Sequence, residues 1–176
     1  MGELSTMIKH LKTPIPKEEI ESLSPGDFVS ISGWIYAGRD AVLPRIVELA
    51  ACGGIEEAGI DLDGSVIFHT AVSPAGVGPT SSNKLEIEAS IAPLSKAGVR
   101  VHLGKGKLAQ ATVESLKDNA SCFAIIPPVS ALLEDRTLER RLVAFPELGM
   151  EAFYALRVED FPAVIAEPSK LEGNRI

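Results

Sequence analysis

The sequence predicts an α/β domain with a mixed, partly parallel sheet and flanking helices. Two observations carry that expectation. Short apolar strand patterns alternate along the chain with stretches of helical spacing, and the links between them are brief and rich in Gly, Pro, Ser and Thr. The 176 residues, 45% of them hydrophobic and 23% charged, are enough to fill a core of ordinary size. No internal repeat or low-complexity tract divides the chain, so a single domain is expected over 1–176, with flexible ends at about 1–10 and 167–176.

The elements follow in order. Leu11 to Ile15 reads as extended chain, and Pro25-Gly26-Asp27 as a turn in which Asp27 is a turn residue. From Phe28 to Tyr36, Val29 and Ile31 alternate with Ser30 and Ser32, which is a strand pattern ended by Gly38-Arg39-Asp40. Val42, Leu43, Ile46, Leu49 and Ala50 then recur at helical spacing behind an Asp40 N-cap, with Pro44 tolerated in the first turn. Ser65 to Ala71 is a second strand, followed by a loop over 73–83 and a helix over about Lys84–Lys96. Val99 to Leu103 is the third strand; Gly104-Lys105-Gly106-Lys107 turns the chain into a helix over Leu108–Lys117. Cys122 to Ile126 is a buried strand stopped by Pro127-Pro128, with a short helix at Leu132 and Leu133 after it. Of the last apolar segments, Leu138–Val143, Glu151–Val158 and Ala163–Ala166, the final two favour strands.

Composition removes several function classes. Seventeen Lys and Arg against twenty-four Asp and Glu give a net charge of −7, which argues against general nucleic-acid binding. No apolar run approaches the length of a membrane span, and Met1 to Leu11 lacks the apolar stretch of a signal peptide, so a cytoplasmic location is expected. Cys52 and Cys122 stand far apart and form neither a metal knuckle nor a disulfide framework; both are expected as buried thiols. His10, His69 and His102 are too scattered for a metal motif, and the latter two suit a core better than general-base catalysis.

Three strand ends deliver polar residues into loops. Arg39 follows the first, Thr80, Ser81, Ser82, Asn83 and Lys84 follow the second, and Lys105 follows the third. In open α/β sheets ligands bind beyond the carboxyl ends of the strands, so these loops are expected to converge. Helix N-termini near Asn83 and Leu108 would add backbone N–H groups, and a guanidinium beside ammonium groups suits a small carboxylate or phosphate. Neither glycine cluster is a nucleotide loop, since Gly76-Val77-Gly78-Pro79-Thr80 lacks both the Gly-Lys-Ser/Thr ending and the third dinucleotide glycine. Glu147 and Glu151 could form an acid/base pair, but nothing in the sequence places them beside the cationic loops.

Six segments, in order, carry a family resemblance. They are Leu11-Lys12-Thr13-Pro14, Gly26 to Gly33, Ala37-Gly38-Arg39-Asp40-Ala41, Gly78-Pro79-Thr80-Ser81-Ser82, Leu103-Gly104-Lys105-Gly106, and Pro146 to Ala152 continuing through Val158 to Ala163. The chain resembles the beta subunit, or C-terminal domain, of class I iron-sulfur hydro-lyases, the oxygen-sensitive fumarate hydratases and L-tartrate dehydratases. The resemblance implies a swivelling β/β/α domain that closes over an active site built mainly on a partner alpha subunit. The resemblance also implies that the alpha subunit carries a [4Fe-4S] cluster, whose thiolates the two isolated cysteines here cannot supply. The implied activity is reversible hydration of fumarate to malate or a related hydroxy-dicarboxylate, within a hetero-oligomer. By motif, Thr80 takes the catalytic proton-moving role, and Arg39, Lys84, Lys105 and Ser81 take substrate contacts. Lys84 stands where the family has an arginine, keeping the charge without the bidentate fork. A non-catalytic module that binds an organic acid or phosphate on the same fold is the alternative.

Overall fold

The structure, a computed structural model, describes residues 7–73, 76–80, 84–126, 133 and 135–168, with backbone alone for 71–73, 76–80 and 84–87. The elements are β1 (Ile8–Lys12), α1 (Lys17–Glu21), β2 (Phe28–Gly38), α2 (Leu43–Cys52), β3 (Val66–Ser73), β4 (Gly76–Thr80) and α3 (Lys84–Lys96). They continue as β5 (Val101–Gly104), α4 (Gln110–Asp118), β6 (Cys122–Ile125), β7 (Thr137–Ala144), a 3-10 turn over Pro146–Glu151 and β8 (Phe153–Glu167).

The sheet is mixed and partly parallel, as expected. Its strands run in the order β1-β2-β3-β5-β6-β8-β7, with β4 folded back on β3. A further pairing of β2 with β8 closes β2, β3, β5, β6 and β8 into a ring. Neighbours from β2 through β6 are parallel, whereas β8 is antiparallel to both β6 and β2. Such a ring is sealed by the side chains that alternate inward. Val29, Ile31, Ile35 and Ala37 of β2 meet Val66 and Phe68 of β3, Val101 and Leu103 of β5, and Cys122 and Ala124 of β6 in one cluster. Helices α2, α3 and α4 cover the outer face of the parallel strands: Leu43, Ile46 and Leu94 pack with Ile67, and Ile91 and Leu116 with Phe123. Burial on both faces is why β3 and β6 open as nearly continuous apolar runs.

β8 contributes Leu156 and Val158, then Phe161, Ala163 and Ile165, so its inward set changes from even to odd positions. The register explains the change: Gly33 faces Val158 and Ile31 faces Phe161, which leaves one extra residue on β8. Asp160 absorbs it at φ 53, accepting a hydrogen bond from the Ser30 hydroxyl (3.0 Å) and donating its N–H to Ser32 Oγ (3.1 Å). This bulge breaks the sequence pattern into two segments although the strand is continuous.

Other expectations change in detail. The α2 N-cap position is Val42, with no side-chain cap, because the Arg39 carbonyl accepts from the Val42 and Leu43 N–H groups in the preceding turn. Asp40 is therefore not the cap. The glycine-rich stretch before Lys84 contains β4, and residues 8–10, expected in a flexible end, belong to β1 beside β2; Glu167, expected in the other flexible end, closes β8. Asp27 accepts the Ser24 N–H at 2.9 Å, the turn role read from Pro-Gly-Asp. Cys52 is exposed at the end of α2, whereas Cys122 is buried as expected. The short helix expected around Leu132 lies largely outside the described residues, although Leu133 is buried.

Candidate active-site edge

Parallel pairing brings the carboxyl ends of the strands to one edge. Gly38 of β2 pairs with His69 of β3, Phe68 with Leu103, and Gly104 of β5 with Ile125 of β6, so their ends are level. Arg39 and Lys105 are the next residues on either side of β3, two strand spacings apart, or about 10 Å. Between them Thr70 of β3 pairs with Thr80, the last residue of β4. The fold thus brings the backbone positions of Arg39, Thr80 and Lys105 to one edge, and Lys84 opens α3 a few residues later. Ser81 lies outside the described residues. Lys105 is exposed and Arg39 is half-buried.

Arg39 is not isolated. One Nη2–H donates to Glu151 Oε2, with the two side chains 27% and 28% exposed. The antiparallel ladder causes this meeting: Ala37 pairs with Tyr154, so the chain just after β2 runs beside the chain just before β8. Gly38 permits the close approach, since a Cβ there would lie 2.8 Å from Val42 Cγ1 and 3.1 Å from Phe153 Cδ1. Phe153 is fully buried and stacks on Tyr36 with ring centroids 5.0 Å apart. A second pair, Arg45 Nη1 to Glu147 Oε2 at 3.1 Å, joins α2 to the same turn, and the Arg45 guanidinium lies 5.3 Å from the Phe145 ring centre. The structure therefore corrects the expectation for these glutamates: tertiary pairing places Glu151 against Arg39 and Glu147 against Arg45.

The α4 end, expected as a free donor set near Leu108, is already occupied by a carboxylate. Glu88 of α3 accepts the Ala109 N–H at 3.0 Å and the Thr112 hydroxyl at 2.7 Å. A negative charge at this helix end satisfies orphan donors and favours the helix dipole. Glu88→Ala is expected to lower stability by about 1 kcal/mol, measured by urea unfolding; unchanged stability would remove the capping role.

His69 and His102 are core residues, as expected, but they form a polar chain beneath the edge. His69 Nε2 lies 3.2 Å from His102 Nδ1, and His102 Nε2 lies 2.9 Å from Ser95 Oγ. Burial pushes the His69 pKa down to about 4. Burial and then the neighbouring His69 hold His102 well below its ordinary value. His69 Nδ1 is fully buried without a hydrogen-bond partner among the described residues.

The cysteines do not suit an iron-sulfur cluster. Burial pushes the Cys122 thiol up to about 12, far from the thiolate such a cluster requires, and its side chain belongs to the interior of the ring. Cys52 lies on the exposed end of α2, where its thiol reaches Leu49 O at 3.7 Å.

The structure is thus a mixed α/β domain with Arg39, Thr80 and Lys105 placed at the carboxyl edge of its parallel strands. The chain belongs to the fumarase C-terminus family, whose model matches residues 3–175. It is 31% identical over 179 residues to a provisionally named class I fumarate hydratase of Geobacillus stearothermophilus, covering 94% of this chain and 33% of that protein. It is 29% identical to the L(+)-tartrate dehydratase subunit beta of Escherichia coli K12, covering 90% of this chain and 82% of that subunit. With the anaerobic class I fumarate hydratase of the same organism it shares 29% over 151 residues, covering 81% of this chain and 27% of that enzyme. The chain thus spans about a third or less of these fumarate hydratases and most of the tartrate dehydratase subunit.

Proposed function

We propose that the chain is the beta subunit of a two-subunit iron-sulfur hydro-lyase that reversibly hydrates fumarate or a related unsaturated dicarboxylate. The observation that carries this reading is the edge on which Arg39, Thr80 and Lys105 follow or end three strands that each pair with β3. Family membership gives that edge its chemical direction. A dicarboxylate requires cations at both ends, and Arg39, Lys105 and Lys84 supply them, with the Ser81 hydroxyl as a further contact. Thr80 moves the proton: in dehydration its deprotonated oxygen takes the proton from the carbon beside a carboxylate, and in hydration its hydroxyl returns it. A threonine alkoxide needs a dry site and nearby positive charge: the three cations supply the charge, and closure against the partner subunit would exclude the water.

The partner alpha subunit holds the [4Fe-4S] cluster in this reading, consistent with the poor fit of Cys52 and Cys122. This chain is then the swivelling domain that closes the cationic edge over the partner's site. The proposed location is the cytoplasm; among the described residues no helix is long and apolar enough to cross a membrane.

The test is anaerobic purification of the tagged chain from its host with whatever accompanies it. The expected product is a brown, iron-bearing complex that hydrates a dicarboxylate, while the chain alone is colourless and inactive. A partnerless chain that binds small organic acids by calorimetry would instead establish the non-catalytic module. In the active complex Arg39→Lys is expected to raise KM about tenfold with little change in kcat, since it keeps the charge and loses the bidentate fork. An unchanged KM would remove Arg39 from the clamp.

A further inference from the structure

We infer that Glu151 is a positioning residue that holds Arg39 in the orientation needed to grip a substrate carboxylate; this rests on the reading of Arg39 as that clamp. The two residues are 112 positions apart, yet the β2–β8 ladder forces their backbones together. The contact is therefore built by the sheet. Glu151 is itself held firmly: the next residue, Ala152, is buried and donates its N–H to Gly149 O at 3.0 Å, while the Tyr154 hydroxyl donates to the same carbonyl at 3.3 Å. Gly149, at φ 60 and ψ −122, turns the chain so that the segment closes on itself. The Arg45–Glu147 pair fastens the other end of the segment to α2.

The electrostatics favour orientation. Both Arg39 and Glu151 are partly withdrawn from water, which distinguishes the pair from freely exposed ones. An arginine at a strand end has several rotamers, and fixing its guanidinium before substrate arrives reduces the ordering needed on binding. Glu151 contacts Nη2 through one oxygen, so it acts on the clamp and leaves the reacting atoms to other groups. A carboxylate in this position could instead occupy the clamp as a stand-in for substrate. The two roles have opposite signs: removing a support raises KM, and removing a plug lowers it.

The experiment uses the complete complex with its alpha subunit and four variants: Glu151→Gln, Glu151→Ala, Arg39→Ala and the Arg39→Ala/Glu151→Ala double. Glu151→Ala is expected to raise the KM for fumarate, or for whichever dicarboxylate the parent complex turns over, about tenfold with kcat within about twofold. Glu151→Gln, which retains an acceptor oxygen, should lie between it and the parent. In the Arg39→Ala background, Glu151→Ala should add nothing, because the residue it serves is gone. A lowered or unchanged KM in Glu151→Ala, or an equal rise in both backgrounds, would overturn the inference. Loss of clamping in Arg39→Ala with normal Glu151→Ala kinetics would defeat this inference alone, whereas an unchanged Arg39→Ala KM would defeat the clamp reading beneath it. A parent complex that hydrates no dicarboxylate would defeat both.

Discussion

Lowering the pH from 6.5 to 4 is expected to remove about 3 kcal/mol of folding stability through His69 alone. In the unfolded chain this imidazole titrates near 6.5, and in the folded protein burial lowers that value to about 4. Between those limits the unfolded state binds a proton that the native state refuses, so stability rises with pH across the window. The contribution is present above pH 6.5 and is lost progressively on acidification. His102, lowered in the same direction, strengthens the effect. Ser95, the other polar contact of the pair, does not titrate. Surface carboxylates also take up protons over this range, so the measurement compares urea unfolding of the parent and His69→Gln at pH 7 and pH 4.5. Glutamine keeps a polar atom near His102 and cannot become charged in this range. The variant should lose markedly less stability on acidification than the parent. Equal losses in the two proteins would rule out the buried neutral imidazole as the cause.

Thr80→Ala in the reconstituted complex is expected to reduce kcat by about two to four orders of magnitude, the usual scale of a lost acid–base group. KM should change little, because the proposed carboxylate contacts belong to Arg39, Lys84, Lys105 and Ser81. Thr80→Ser should recover part of the rate, since it restores the hydroxyl without the methyl that helps order a β-strand. Thr80 ends β4 opposite Thr70, so circular dichroism and thermal unfolding should accompany the kinetics. A folded Thr80→Ala complex with parental kcat would reassign proton transfer to another group. A rise in KM at constant kcat would make Thr80 a substrate contact instead.

Much of the local structure was legible in the sequence. Helix α3 was expected at the residues where it occurs, and the strand beginning at Phe28 was recognised from alternation within one short stretch. The edge at the strand ends could also be anticipated, because parallel strands joined through helical crossovers deliver the residues after Gly38 and Gly104 to the same side. Such signals are written within neighbouring residues, at spacings of two or about three and a half. Glu151 offered its place in a family-like segment and a possible pairing with Glu147, neither of which points to Arg39. Its partner lies across the ladder formed by β2 and β8, so no spacing along the chain could disclose it.

The same reason explains the other differences. Glu88 became an acceptor at α4 when α3 and α4 packed together, which puts a carboxylate where the sequence alone leaves the helix end open. The two β8 segments became one strand because a bulge at Asp160 shifted the alternation while hydrogen bonding to β2 continued on both sides. By itself the sequence determined the α/β class, most element positions and the residue types offered at the strand ends. Tertiary structure decided ring closure, the exposure of Cys52 and the partner of Arg39, because these depend on contacts between segments far apart in the chain.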